Sequence, residues 1–193
     1  MPARAVIARR LRRIANFVLF QAVWFVAVMG VSRGWSWQAP AFAAAFVGVH
    51  LAWLSERPGR DAGVLAIVPL LGLGLDTLLM HGGVLRYGGS PLVGVLAPAW
   101  ILALWLGFSA TFHSSMSWLQ GRHGLAAVFG ALGAPLSYLG GARLGAISLG
   151  EPPWLCALAV ALAWGIGMPL FLWISAQAGE PATATRTQSS NDA

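Results

Sequence analysis

Apolar residues in this chain run in long, nearly unbroken stretches, with neither the strict alternation of half-buried strands nor the narrow stripe of a surface helix. Short breaks rich in Arg, Gly, Pro or acidic residues separate the stretches. Crossing the roughly 30 Å hydrocarbon core of a bilayer takes about 20 mostly apolar residues in a helix. Six stretches approach that length: 13–31, 39–55, 62–82, 92–118, 124–142 and 153–177. The connections at 32–38, 56–61, 83–91, 119–123 and 143–152 are short, so sequential helices are expected to run antiparallel. The pattern predicts an all-α polytopic membrane protein, a six-transmembrane-helix bundle with both termini on one side. It divides into a basic N-terminal segment 1–12, a single membrane domain 13–178 and a polar tail 179–193. That tail, GEPATATRTQSSNDA, has almost nothing to bury and is expected to be disordered.

Composition sharpens this picture. With 58% hydrophobic and 9% charged residues, the chain lacks the polar skin of a soluble domain, which is roughly 25% charged. Its net charge of +6 is unevenly placed, because five of the twelve Arg fall within the first thirteen residues. Such a distribution is a topology signal and not a phosphate-binding surface, so nucleic acid is not expected as a partner. If the N-terminus is cytoplasmic, that side collects Arg4, Arg9, Arg10, Arg12, Arg13, Arg57, Arg60, Arg122 and Arg186, against Arg33, Arg86 and Arg143 opposite. Nine against three predicts both termini inside. A chain without Lys but rich in Ala, Gly, Arg and Trp reads as GC-rich and bacterial, which makes the inner membrane the expected location. The single Cys156 excludes a disulfide scaffold.

An ionisable group at mid-membrane costs about 3 kcal/mol or more, so each one demands a reason. Asp76, in the third stretch, is the most informative. It must face the bundle interior, and its helical face carries Gly72 and Leu73. One reading is proton or cation handling, and the other is a buried carboxyl tying helices together. Span-four hydroxyls, Tyr138 and Arg143 are its expected donors. Glu56 and Asp61, beside Arg57 and Arg60, read as solvated ion pairs. The fourth stretch loads Ser109, Thr111, His113, Ser114, Ser115 and Ser117 into its second half. On a continuous helix Ser109, His113 and Ser117 form one stripe, either a polar pocket with His113 as base or donor, or a helix-helix hydrogen-bonding seam. The fifth stretch repeats small residues at i+4: Ala126, Gly130 and Ala134 on one line, Gly133, Ser137 and Gly141 on another. Both lines are expected to pack helices closely, around a bend at Pro135.

The familiar signatures of catalysis are missing. There is no GxxxxGK[ST], no HExxH, no CxxC, and no GxSxG with a companion acid and His, so the residues weigh against an enzyme. No two His stand at i, i+3 or i+4, and neither a metal nor a cofactor is expected. His residues on different spans would hold a haem only if they faced each other, which sequence does not show.

The run from Trp105 to Trp118, the motif 130-GALGAPLSYLGGARLGA-146 and the aspartate in 72-GLGLDTLL-79 together resemble a bacterial small integral-membrane family, domain of unknown function 2878. The resemblance spans roughly 14–175. Asp76, Trp105, Phe108, Pro135, Tyr138, Gly141 and Arg143 fall at positions similar to its signature, while Ala134 stands where a second Gly is expected. The resemblance implies a multi-span inner-membrane protein without an assigned activity. Members are often encoded beside lipid-modifying, methyltransferase-like enzymes, which implies membrane lipid and a lipid-modifying enzyme as partners. Three functions stay open: an accessory subunit for membrane-lipid modification or envelope physiology, a small-solute or proton permease using Asp76, and an intramembrane lipid-modifying enzyme using Asp76 and His113.

Overall fold

The computed structural model describes residues 3–35 and 37–178, and the polar tail expected at 179–193 lies outside them. The described residues form six α-helices: α1 (Ala3–Ser32), α2 (Gln38–Val49), α3 (Pro58–His81), α4 (Ala99–Ser109), α5 (His123–Arg143) and α6 (Pro153–Gln177). A π-helical turn, His50–Leu54, continues α2. Four helices are long and apolar enough to cross a membrane, namely α1, α3, α5 and α6. The shorter pair, Gln38–Leu54 and α4, are also apolar. Exposed Leu, Ile, Val, Phe and Trp side chains cover the outside of the bundle, as expected where the surrounding solvent is hydrocarbon.

The helices run back and forth between two ends. Arg9 Nε pairs with Glu56 at 3.1 Å, and Gly63 abuts the backbone of Ala178, so the start of α1, the end of the α2 turn, the start of α3 and the end of α6 share one end. At the far end the connections α3–α4 and α5–α6 are not plain loops. Strand β1 (Leu85–Tyr87) pairs antiparallel with β2 (Ile147–Leu149), Leu85 opposite Leu149 and Tyr87 opposite Ile147. Pairing satisfies backbone groups that would otherwise sit bare against the bundle. It also fixes Tyr87 over the helices below.

The basic segment expected at 1–12 is helical from Ala3, as the start of α1. One expectation needs correction. The fourth stretch, 92–118, is not one helix. Pro98 precedes α4, which lasts 11 residues and spans only about 16 Å. After Ser109 the chain turns irregularly, because hydroxyls bond backbone carbonyls locally: Ser109 Oγ to Trp105 O at 2.6 Å, Thr111 Oγ1 to Phe108 O at 2.6 Å. The stripe of Ser109, His113 and Ser117 therefore does not form. Irregular backbone at this depth is tolerated only inside protein, and Ala110, Thr111, Phe112, Ser114 and Met116 are indeed buried. Asn16 of α1, fully buried, holds the turn: its Nδ2 donates to Ala110 O at 3.1 Å, and its Oδ1 accepts from Ser115 Oγ at 2.6 Å.

Candidate functional site

Gly72 and Asp76 are one helical turn apart on α3 and act together. A Cβ on Gly72 would fall 2.0 Å from the Trp105 ring, so only glycine lets that indole lie flat on the helix. Trp105 is clamped from its other face by Trp164 of α6, stacked at 5.0 Å between centroids and 13° between planes. Held this way, Trp105 Nε1 donates to Asp76 Oδ2 at 2.5 Å. Tyr87, delivered by the hairpin, donates to Oδ1 at 2.5 Å, and Tyr138 of α5 donates to the same oxygen. Burial pushes the Tyr87 hydroxyl above its usual range, so it keeps the proton it donates. Asp76 is 2% exposed and ties α3, α4, α5 and β1 together.

Of the donors expected for Asp76, Tyr138 is in place. Span four contributes the Trp105 indole and not a hydroxyl, and Arg143 lies exposed at the end of α5. Tyr87 was missed because it lies in a connection, although it is one of only two tyrosines in the chain.

Beside Asp76 a cavity of about 530 Å³ extends along the bundle between α1 and α5. Its walls are mostly rings: Phe17, Phe20 and Trp24 from α1, Phe108 from α4, Phe129 from α5 and Trp164 from α6. Helices α1 and α5 hardly touch across it, and Trp24 Nε1 bridges them by donating to Ser137 Oγ at 3.1 Å. This revises the packing expected of α5. Gly130 and Ala134 are buried, and a Cβ on Gly130 would meet Trp164 O at 2.3 Å, which is close backbone contact. Gly141 abuts the Ile147 side chain. Gly133, by contrast, lines the cavity, and a Cβ there would meet nothing within 4 Å. Ser137 lines it too.

A second polar cluster lies at the other end, around a residue read from sequence as solvated. Asp61 is 6% exposed, because the π-helical turn after α2 directs His50 inward against it. Asp61 Oδ2 accepts from His50 Nε2 at 3.0 Å and Ser55 Oγ at 2.5 Å, and Oδ1 accepts from His113 Nδ1 at 2.8 Å. The tautomer of His50 follows from its neighbours. Ser115 N donates to Asn16 Oδ1, so Asn16 Nδ2 is the donor to His50 Nδ1 at 3.2 Å, leaving the His50 proton on Nε2. Arg60 instead donates to Ala176 O at 3.2 Å.

The structure thus places the sequence-named residues in two separate groups. Asp76 and Tyr138 meet, with Ser109 buried nearby on α4, while His113 belongs to Asp61 and Ser117 begins a short turn at Ser117–Leu119. Asp76 and His113 do not share a partner. Two histidine nitrogens facing an aspartate are not a haem site, and no three His, Cys, Asp or Glu side chains converge as metal ligands among the described residues. Asn16, His50 and Asp61 were the residues that sequence reasoning undervalued. A lone Asn inside a span was the signal available for the first.

No curated protein and no solved structure matches the chain. A family model does match it, over residues 13–170, from within α1 nearly to the end of α6 and including both polar clusters. The buried aspartate, its indole and phenol donors and the glycine-rich fifth helix therefore sit within the shared region, and the chain belongs to the family described as protein of unknown function DUF2878.

Proposed function

We propose that the protein is a bacterial inner-membrane accessory subunit for membrane-lipid modification, which crosses the bilayer six times and holds a lipid chain in the cavity between α1 and α5. The observation that carries this reading is the cavity of about 530 Å³, walled by aromatic rings, most of them on helices apolar enough to span a membrane. Its size falls within the roughly 300 to 1,000 Å³ of small-molecule sites. Water gains little in such a space, because it needs two to four polar partners, whereas a hydrocarbon chain fits the walls. Across the gap that Trp24 and Ser137 bridge, that chain would enter from the bilayer without passing through water.

The permease reading draws less support, since Asp76 already accepts three donors and joins four elements. The enzyme reading required Asp76 and His113 to converge, and they belong to different clusters.

The test is lipid retention. Purified in mild detergent and measured by native mass spectrometry, the protein is expected to carry a bound lipid, and Gly133→Phe is expected to expel it while the fold melts normally. A parallel pull-down is expected to recover a lipid-modifying enzyme. Protein that carries no lipid, or a Gly133→Phe variant that retains it, contradicts the cavity reading; a pull-down without such an enzyme contradicts the accessory role.

A further inference from the structure

Gln21 is the one carboxamide on the cavity wall, and it has no hydrogen-bond partner among the described residues. It is part-buried, and its amide is not sealed from the gap. On α1 it stands eight residues after Arg13 and twelve before Arg33, about 12 Å and 18 Å along the helix, which puts it near the middle of the bilayer. At that depth neither water nor an ordinary acyl chain can accept its two N–H donors, and a polar side chain inside a span calls for a partner.

A second donor stands one turn away. Ser137 Oγ accepts from Trp24 Nε1 at 3.1 Å, and its own proton reaches no acceptor among the described residues. Gln120, just before α5, bonds Ser175 near the end of α6, so α1 and α5 start at the same end and run the same way. With Trp24 bonded to Ser137, one turn back on each helix sets Gln21 level with Gly133, where a Cβ would meet nothing within 4 Å. The open part of the gap thus lies beside Gln21, with Ser137 about 5.4 Å further along.

Resting on the reading of the cavity as a lipid site, we propose that its occupant is a membrane quinone, a dicarbonyl ring on an isoprenoid tail. One ring oxygen accepts from Gln21 and the other from Ser137, because the rise of one helical turn is close to the span between para carbonyl oxygens. Phe17, Phe20, Trp24, Phe108 and Phe129 supply the faces and edges against which a flat ring packs. A charged head does not suit the wall: Asp76 is its one charged side chain, already held by three donors, and no Arg or His lines it to receive a phosphate or carboxylate. A glycerolipid keeps its ester carbonyls at the interface, away from the level of Gln21. A quinone has no charged head to hold it there.

The experiment uses the full chain in nanodiscs of synthetic phosphatidylcholine, with a diazirine-bearing hexadecane as photoprobe. Decylubiquinone, decylbenzene, hexadecanol and palmitate are the competitors, each counted by its mole fraction in the bilayer. Saturable crosslinks are expected in α1 and α5. Decylubiquinone is expected to compete on the order of tenfold better than decylbenzene, which has a ring and tail but no oxygens, the scale of two net hydrogen bonds. Gln21→Met keeps the length of the side chain and removes its donors, so it is expected to cut that advantage to about threefold or less, with thermal melting confirming the fold.

Equal competition by decylubiquinone and decylbenzene, or an advantage unchanged in Gln21→Met, overturns the quinone inference and leaves the lipid cavity standing. Hexadecanol or palmitate competing best overturns it in favour of a hydroxyl or carboxyl lipid. Absence of saturable crosslinking overturns both readings.

Discussion

Asp76 is satisfied by two phenols and an indole, without a counter-ion among the described residues. This makes its substitutions separable. Asn keeps one acceptor oxygen, which must face Trp105 because an indole only donates, and its amide then faces two phenols able to accept. Asp76→Asn is expected to lower stability by about 1 kcal/mol, whereas Asp76→Leu strands three buried donors and costs about 3 kcal/mol or more. Melting curves in detergent check the order, and equal losses would mean that the donors do not matter. Gly72→Ala tests the same contact from beneath, since its Cβ would strike the Trp105 ring at 2.0 Å. Displacing that ring is expected to cost about 1 to 3 kcal/mol and to shift the tryptophan emission. Asp76 itself was legible in the sequence because an acid in an apolar run has few places to go. Tyr87 was not, because a connection gives no sign of which core it will cover. Asp61 was misread for the converse reason: beside Arg57, Glu56 and Arg60 it looked solvated, and the π-helical turn that brings His50 round, together with His113 from the turn after α4, removes it from water.

Among the helices, α5 shows what spacing reveals and what it hides. Small residues at i+4 announce that something approaches closely, but cannot say whether the neighbour is a helix or an empty space. Gly130 meets α6 backbone, and Gly133, less than one turn on, meets nothing. Gly130→Leu is therefore expected to destabilise by about 1 to 3 kcal/mol through overpacking, while Gly133→Leu leaves the melting temperature close to wild type. The reverse order would place the cavity on the wrong face of α5. The short α4 was hidden in another way: an apolar run of helix length carries no mark at the point where its serines and threonines begin to bond their own backbone. Asn16 supplies from α1 what that turn lacks. Asn16→Leu is expected to leave Ala110 O and Ser115 N unmatched and to cost about 2 to 4 kcal/mol, read by thermal melting.

At the scale of the whole bundle, the question is how many helices cross the membrane, because four are long enough and two are short. Contacts between ends decide what is geometrically consistent. The Arg9 to Glu56 pair brings the end of the α2 turn back to the start of α1, and Gln120 Nε2 donating to Ser175 Oγ brings the chain after α4 to the end of α6. If α1 crosses, the chain must therefore return through α2, and again through α4 with the buried turn after it completing a passage that an 11-residue helix cannot make alone. Most of the arginines in the described residues gather at the end where α1 begins, among them Arg9, Arg12, Arg13, Arg57, Arg60 and Arg122, and that end is expected to be cytoplasmic by the positive-inside rule. Reporter fusions give the outcome. Fusions after Gln120 and at the C-terminus are expected to report cytoplasm, and one within 88–95, beyond the hairpin strand β1, periplasm. A periplasmic signal after Gln120 would mean that α4 does not return, which would reduce the crossings and remove the wall that Phe108 and Trp105 give the cavity.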